Sequence, residues 1–163
     1  MILDISYVHA AFAVMTTVLF LIIVPKLLYK QFLIYGIIFG GLVDALMVSA
    51  YTVLGLIRYK GFGLFGILDL VSSWTPVVWI SAFGMFFYML PVRKFFLIPY
   101  ILSWTAFTYG IGLVFENFGV FEYIGLWRYI APLNFLAWFS VSAWFYTRNS
   151  KVSVALLGVT TPL

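Results

Sequence analysis

One carboxylic acid interrupts a long apolar run: Asp44, in the stretch "FGGLVDALMVSAY" from Phe39 to Tyr51. From about Phe32 to Ile57 the chain carries no other charge. If that run crosses a bilayer, Asp44 lies near the midplane, where insertion scales put an acid at about +2.5 to +3.5 kcal/mol. Acids in that position bind a proton or a cation, or act as a protonated general acid towards a lipophilic substrate. The blander reading is a neutral acid hydrogen-bonded to Ser49, Tyr51, Thr52 or a neighbouring helix. An asparagine or serine would make such a bond with less desolvation, which favours the functional reading.

Glu116 closes a second apolar run in "FENFG", and Glu122 follows in "FEYIGLWRY". With Asp4, His9, Arg58, Lys60, Asp69 and Arg128 they form a polar set at one end of the apolar runs. A solvated rim with pairs such as Glu122–Arg128 accounts for most of this set. Glu116 adjoins apolar residues and so joins Asp44 as the second candidate proton donor, should the protein be an enzyme. Asn134, in "APLNFLAWF", can hydrogen-bond across helices, with Glu116 or Trp127 as partners. Trp79, Trp104, Trp138 and Trp144 lie inside apolar runs. They pack, face lipid, or line a pocket for an acyl chain, an isoprenoid or a cation, the last held by cation–π attraction. The candidate ligand set is therefore Asp44, Glu116, Asn134, Tyr51 and Trp79. A single histidine and no cysteine leave neither a metal site nor a cofactor motif to expect.

The elements that must position these residues follow from composition. Of 163 residues, 65% are hydrophobic and only 9% charged, against roughly a quarter charged in soluble domains. Mean hydropathy is +1.13. The apolar runs are continuous and about twenty residues long, which calls for helices that satisfy their own backbone in lipid. The alternation of a membrane β-barrel is absent. The expected fold is an all-α polytopic helical bundle, one transmembrane domain with about five spans near 7–28, 32–57, 75–91, 95–115 and 129–147. The segment 61–73, "GFGLFGILDLVSS", is too apolar for a solvated loop and too short to cross, and reads as interfacial. The first run lacks the basic leader and small-residue cleavage site of a signal peptide.

Five spans place the termini on opposite sides. One side then holds Lys26, Lys30, Arg93, Lys94, Arg148 and Lys151; the other holds Arg58, Lys60 and Arg128 among the basic residues. The basic excess marks the cytoplasmic side, so the N-terminus is expected outside and the C-terminus inside a bacterial inner membrane. Nucleic acid is not an expected partner; membrane lipids, a lipophilic small molecule, and a second copy or another membrane protein are.

A repeat lies in the middle of the chain. "GLIRYKGF" (Gly55–Phe62) and "GVFEYIGL" (Gly119–Leu126) share glycine, apolar, charge, tyrosine and glycine positions. Each is followed by a helix with an early proline, Pro76 or Pro132, that ends in basic residues. Spans two and three, and four and five, then form tandem two-helix hairpins of equal orientation, a parallel repeat of the kind found in transporters. Gly36 and Gly40 in "GIIFGG" have the spacing that allows close helix approach within a bundle.

"GLIRYKGF" and "ENFGVFEYIGLWRY" resemble a family of small multi-pass membrane proteins common in spore-forming bacilli and clostridia. Its members often show an outer-end Gly-Leu-x-Glu-Tyr and a late Glu…Lys/Glu-Tyr…Trp-x-Tyr before a last span. Glu116, Glu122, Tyr123, Trp127 and Tyr129 would correspond, while Arg58 stands where that family has an acid. The resemblance implies the helical membrane fold and no activity. "LWRY" and "PLNFLAWF" are loosely similar to integral-membrane lycopene and terpene cyclases. Those carry paired acids where this chain has Leu133–Asn134–Phe135, so cyclase chemistry would rest on Asp44 or Glu116. Three functions follow: binding or transport of a lipophilic or cationic small molecule in an intramembrane pocket, an enzyme acting on an isoprenoid or lipid, or a structural subunit of a membrane complex.

Overall fold

The computed structural model describes residues 5–59, 75–91, 93–119 and 121–157, with side chains described over 10–58, 75–91, 93–119 and 122–148. The expected interfacial segment 61–73, the residues Asp4, Lys60 and Asp69, and the side chain of His9 lie outside that description. The chain folds into five helices: α1 Ile5–Ile23, α2 Lys26–Val53, α3 Thr75–Tyr88, α4 Lys94–Asn117 and α5 Trp127–Leu157. Two short strands, β1 Ile57–Tyr59 and β2 Phe121–Tyr123, pair with each other.

The first apolar run does not continue to Leu28. It stops at Ile23 because Pro25 is extended (φ −62°, ψ 141°) and disfavours helix in the residue before it. A 3-10 turn, Lys26–Leu28, then opens α2. The helix α2 ends earlier than residue 57 for a similar local reason. Gly55 adopts φ +68°, and its N–H bonds back to the Thr52 carbonyl, closing the helix so that Ile57 enters a strand. Gly119 repeats the device at the end of α4 with φ +72° and an N–H bonded to the Glu116 carbonyl. The helix α5 outruns the expected span and reaches Leu157.

Helices α2 and α3 pack as one hairpin and α4 and α5 as another, with α1 laid against α3. The shared centre is α3. Its residues Ser81 to Phe87 are all buried, with Phe83 and Phe86 at 0% exposure. A helix apolar on every face belongs inside a bundle. Phe83 contacts Trp138 and Phe139 of α5 at ring distances of 4.6 and 5.3 Å. The Thr17 and Ser81 hydroxyls, 3.3 Å apart, join α1 to α3. Gly36 and Gly40 face the α3 backbone, where a Cβ would collide with the carbonyl oxygens of Ile80 and Trp79. The glycine spacing thus serves packing inside the bundle.

Large apolar side chains dominate the outside. Ile22, Leu27, Leu46, Val53, Phe95 and Ile98 are each more than two-thirds exposed. Two helices, α2 and α4, are long and apolar enough to cross a membrane. Ala10–Ile23 and α3 are shorter apolar helices.

The strand pair is antiparallel, with Ile57 opposite Tyr123, Arg58 opposite Glu122 and Tyr59 opposite Phe121. The two copies of the repeated motif therefore pair with each other, centred on its charged position. Opposite charges directly across such a pair stabilise it modestly.

Candidate functional site

Asp44 begins the last α-helical stretch of α2, immediately after an eight-residue π-helical segment, Gly36–Val43. Single π turns are rare and recur at functional sites because the wider turn re-aims the side chains beside it. Asp44 is 6% exposed. The hydroxyls that could have satisfied it are used elsewhere. Ser49 donates to the Ala45 carbonyl at 2.7 Å and Thr52 to the Val48 carbonyl at 2.9 Å. The Tyr51 hydroxyl donates to Asn134 Oδ1 at 2.6 Å. Among the described residues nothing hydrogen-bonds or ion-pairs with the Asp44 carboxyl, and its oxygens are not sealed inside the packing.

They border a cavity of about 130 Å³ whose wall takes residues from all five helices and both strands. Besides Asp44 the wall includes Tyr51 from α2, Trp79 from α3, Trp104 and Thr108 from α4, and Asn134 and Trp138 from α5. No lysine, arginine or histidine is among the lining residues. Among the described residues the Thr108 hydroxyl and the Trp138 indole N–H, on residues of the cavity wall, are buried without a hydrogen-bond partner, and so are the Thr105 and Ser142 hydroxyls, whose residues are not on that wall.

Four of the five sequence candidates converge here: Asp44, Tyr51, Asn134 and Trp79. Glu116 does not join them. Its Oε1 accepts from the Tyr123 backbone N–H at 3.3 Å, and its Oε2 lies 3.4 Å from the half-exposed Arg128 guanidinium without hydrogen-bond alignment. Glu116 thus ties the end of α4 to β2 and to the start of α5. Arg128 pairs with this acid, and Asn134 takes Tyr51 in place of Glu116 or Trp127. Beside Glu116, burial with Ile57, Phe115 and Ala131 pushes the Tyr123 phenol above its ordinary range. Thr108, which shares the cavity wall with Asp44, escaped sequence reading because a threonine in an apolar helix carries no distinguishing pattern, whereas Trp104 was among the tryptophans expected to pack, face lipid or line a pocket.

The Tyr51–Asn134 bond joins the first hairpin to the second across the cavity wall. Tyr51→Phe is expected to destabilise the protein by about 1 kcal/mol, the usual net worth of one such bond with its acceptor left unpaired. Thermal unfolding in detergent measures this, and Asn134→Leu added to Tyr51→Phe should cost less than the sum of the two single changes.

Comparison of the chain with protein-family models, with curated proteins and with solved structures returns no match.

Proposed function

We propose that this protein is a five-span integral membrane protein, N-terminus outside and C-terminus cytoplasmic, that binds a small lipophilic or cationic molecule in an intramembrane cavity at Asp44. The observation that carries the binding is a carboxyl with no partner among the described residues, on the wall of a mostly apolar cavity. Pockets of that make-up, apolar with a few placed polar groups, are the usual form of a small-molecule site.

The bilayer reading rests on the largely exposed apolar surface of α2 and α4 together with the length of those helices. At 1.5 Å per residue, the 14 residues of α3 reach about 21 Å, short of a hydrocarbon core of about 30 Å. Enclosure by α1, α2 and α5 makes lipid contact along its whole length unnecessary.

The repeat supports transport over simple storage. The separation that aligns Gly55 with Gly119 also aligns Asp44 with Thr108, Met47 with Ile111, Val48 with Gly112 and Tyr51 with Phe115. The separation that aligns Pro76 with Pro132 aligns Thr75 with Ala131, Val78 with Asn134, Trp79 with Phe135 and Ala82 with Trp138. Every one of these residues lines the cavity. Two equivalent hairpins thus face each other across one site, the arrangement in which transporters rock one repeat against the other. A cavity of this size also suits a molecule of about six to eight heavy atoms, by comparison with cavities of about 150 Å³ that hold benzene. A whole isoprenoid is larger than that, which weighs against the cyclase alternative.

The absence of cysteine from the chain makes single-cysteine labelling clean. Phe118→Cys is expected to react with a membrane-impermeant maleimide on intact cells, and Lys30→Cys only after permeabilisation. Met47→Cys, on the cavity wall, should react with a small methanethiosulfonate, while Leu46→Cys, on the exposed apolar face, should not. The opposite labelling of the first two overturns the topology. An unreactive Met47→Cys alongside a reactive Leu46→Cys overturns the cavity.

A further inference from the structure

We infer that the molecule held in this cavity is a small organic ammonium, with Asp44 as its counter-ion and the surrounding indoles as its cage. The inference rests on the binding reading above and narrows its chemical class. A carboxylate in an apolar wall needs a positive charge beside it, because water is excluded and desolvating an unpaired ion is costly. Among the described residues there is none: no basic side chain lines the cavity, and nothing pairs with Asp44. A counter-charge must then arrive from outside, as a proton or as part of a ligand.

The rest of the wall selects the ligand. Trp79, Trp104, Trp127 and Trp138 all line the cavity, and the Trp79 and Trp138 rings stand 5.8 Å apart with their planes at 54°. Tryptophan faces attract cations most strongly among aromatics, more so when water is excluded, and aromatic cages are the recurrent site for substituted ammonium groups. A hydrated inorganic cation would want several oxygen ligands. Here the wall offers one carboxylate with scattered hydroxyl and amide groups, and no group of three His, Cys, Asp or Glu side chains occurs among the described residues. An alkylated ammonium needs only the one anion and the π faces. Among the described residues the titratable groups on the wall are Asp44, Tyr51 and Tyr123. Asp44 is the one carboxyl among them, so a permanently charged ligand that displaces its proton binds more tightly as pH rises.

The test uses full-length protein in detergent and a matched pair of probes, choline and its neutral carbon isostere 3,3-dimethyl-1-butanol, with tryptophan fluorescence as the readout. Choline is expected to bind at least about tenfold tighter than the alcohol in wild type, and to lose that advantage in Asp44→Asn. Choline affinity should rise with pH while alcohol affinity stays flat. Should Asp44→Asn fail to fold, the wild-type ratio and its pH dependence decide alone. Equal binding of the two probes, or tighter binding of the alcohol, overturns the ammonium assignment and leaves a neutral-ligand cavity standing. Binding of neither overturns the ammonium assignment, and with an unreactive Met47→Cys it removes the cavity reading as well.

Discussion

Replacing Gly40 with valine is expected to abolish the folded bundle. A Cβ at this position overlaps the carbonyl oxygen of Trp79 and crowds the Ile80 nitrogen. Both are backbone atoms inside a helix, so neither can swing aside as the end of a flexible side chain would. Relief requires α2 and α3 to separate, and these two helices make the most extensive contact in the structure. Overpacking a core ordinarily costs about 1–3 kcal/mol, and an overlap with backbone lies at or beyond the top of that range. The loss also reaches the site, because Trp79 lines the cavity opposite the helix that carries Asp44. Gly110→Val is the matched control: a Cβ there meets nothing within 4 Å, and valine for glycine in a helix is not unfavourable. Size-exclusion profile and thermal unfolding in detergent should show Gly40→Val aggregated and Gly110→Val near wild type. A well-folded Gly40→Val protein contradicts the packing.

The second large effect is a gain of stability at the expense of function. Asp44→Leu is expected to raise the unfolding free energy of the ligand-free protein by about 2 kcal/mol, because it removes a polar group with no partner from an apolar surrounding. Leucine has room, since it keeps the branched four-atom skeleton of aspartate and its methyls replace the two oxygens of a residue that borders a cavity. Nothing is orphaned by the change: Ser49, Tyr51 and Thr52 already bond elsewhere. A destabilised Asp44→Leu protein would mean that the carboxyl supports the fold. Functional groups held against the preference of the fold commonly behave as predicted here, giving stability when removed. Thermal melts of the two proteins, stripped of ligand, measure the difference.

Much of the helical architecture is legible in the residues. Continuous apolar runs favour helices, the five expected runs map onto five helices, and two of these, α2 and α4, are long and apolar enough to cross a membrane. The glycine pair at positions 36 and 40 announces a close approach, which the α3 backbone supplies. Three features escape for physical reasons. Pro25 stops α1 locally, against a run of hydropathy that continues past it. The strands Ile57–Tyr59 and Phe121–Tyr123 are three residues each and have meaning only as a pair brought together from distant parts of the chain. The partner of Asn134 is likewise set by tertiary geometry: both Glu116 and Tyr51 are chemically suitable, and only the packing of α2 against α5 chooses Tyr51. Glu116 carries the same apolar-edge signature as a site acid, yet it serves as a link between α4, β2 and α5.

The repeated glycine-charge-tyrosine motif gains a purpose that its spacing alone does not reveal. Each copy closes one helix with a left-handed glycine and then supplies one strand of the pair, so that the two hairpins are tied at one end about the Arg58–Glu122 position. A tie of this kind fixes the two hairpins to each other at the end that carries the Arg58–Glu122 position.

The central claim is that Asp44 holds a ligand, and native mass spectrometry of gently purified protein tests it most directly, with wild type compared against Asp44→Leu. The account predicts a small-molecule adduct on wild type that is missing from the variant, whose bare form unfolds at the higher temperature. Bare wild-type protein, with Asp44→Leu less stable than it, would contradict the account and make the acid at position 44 part of the scaffold.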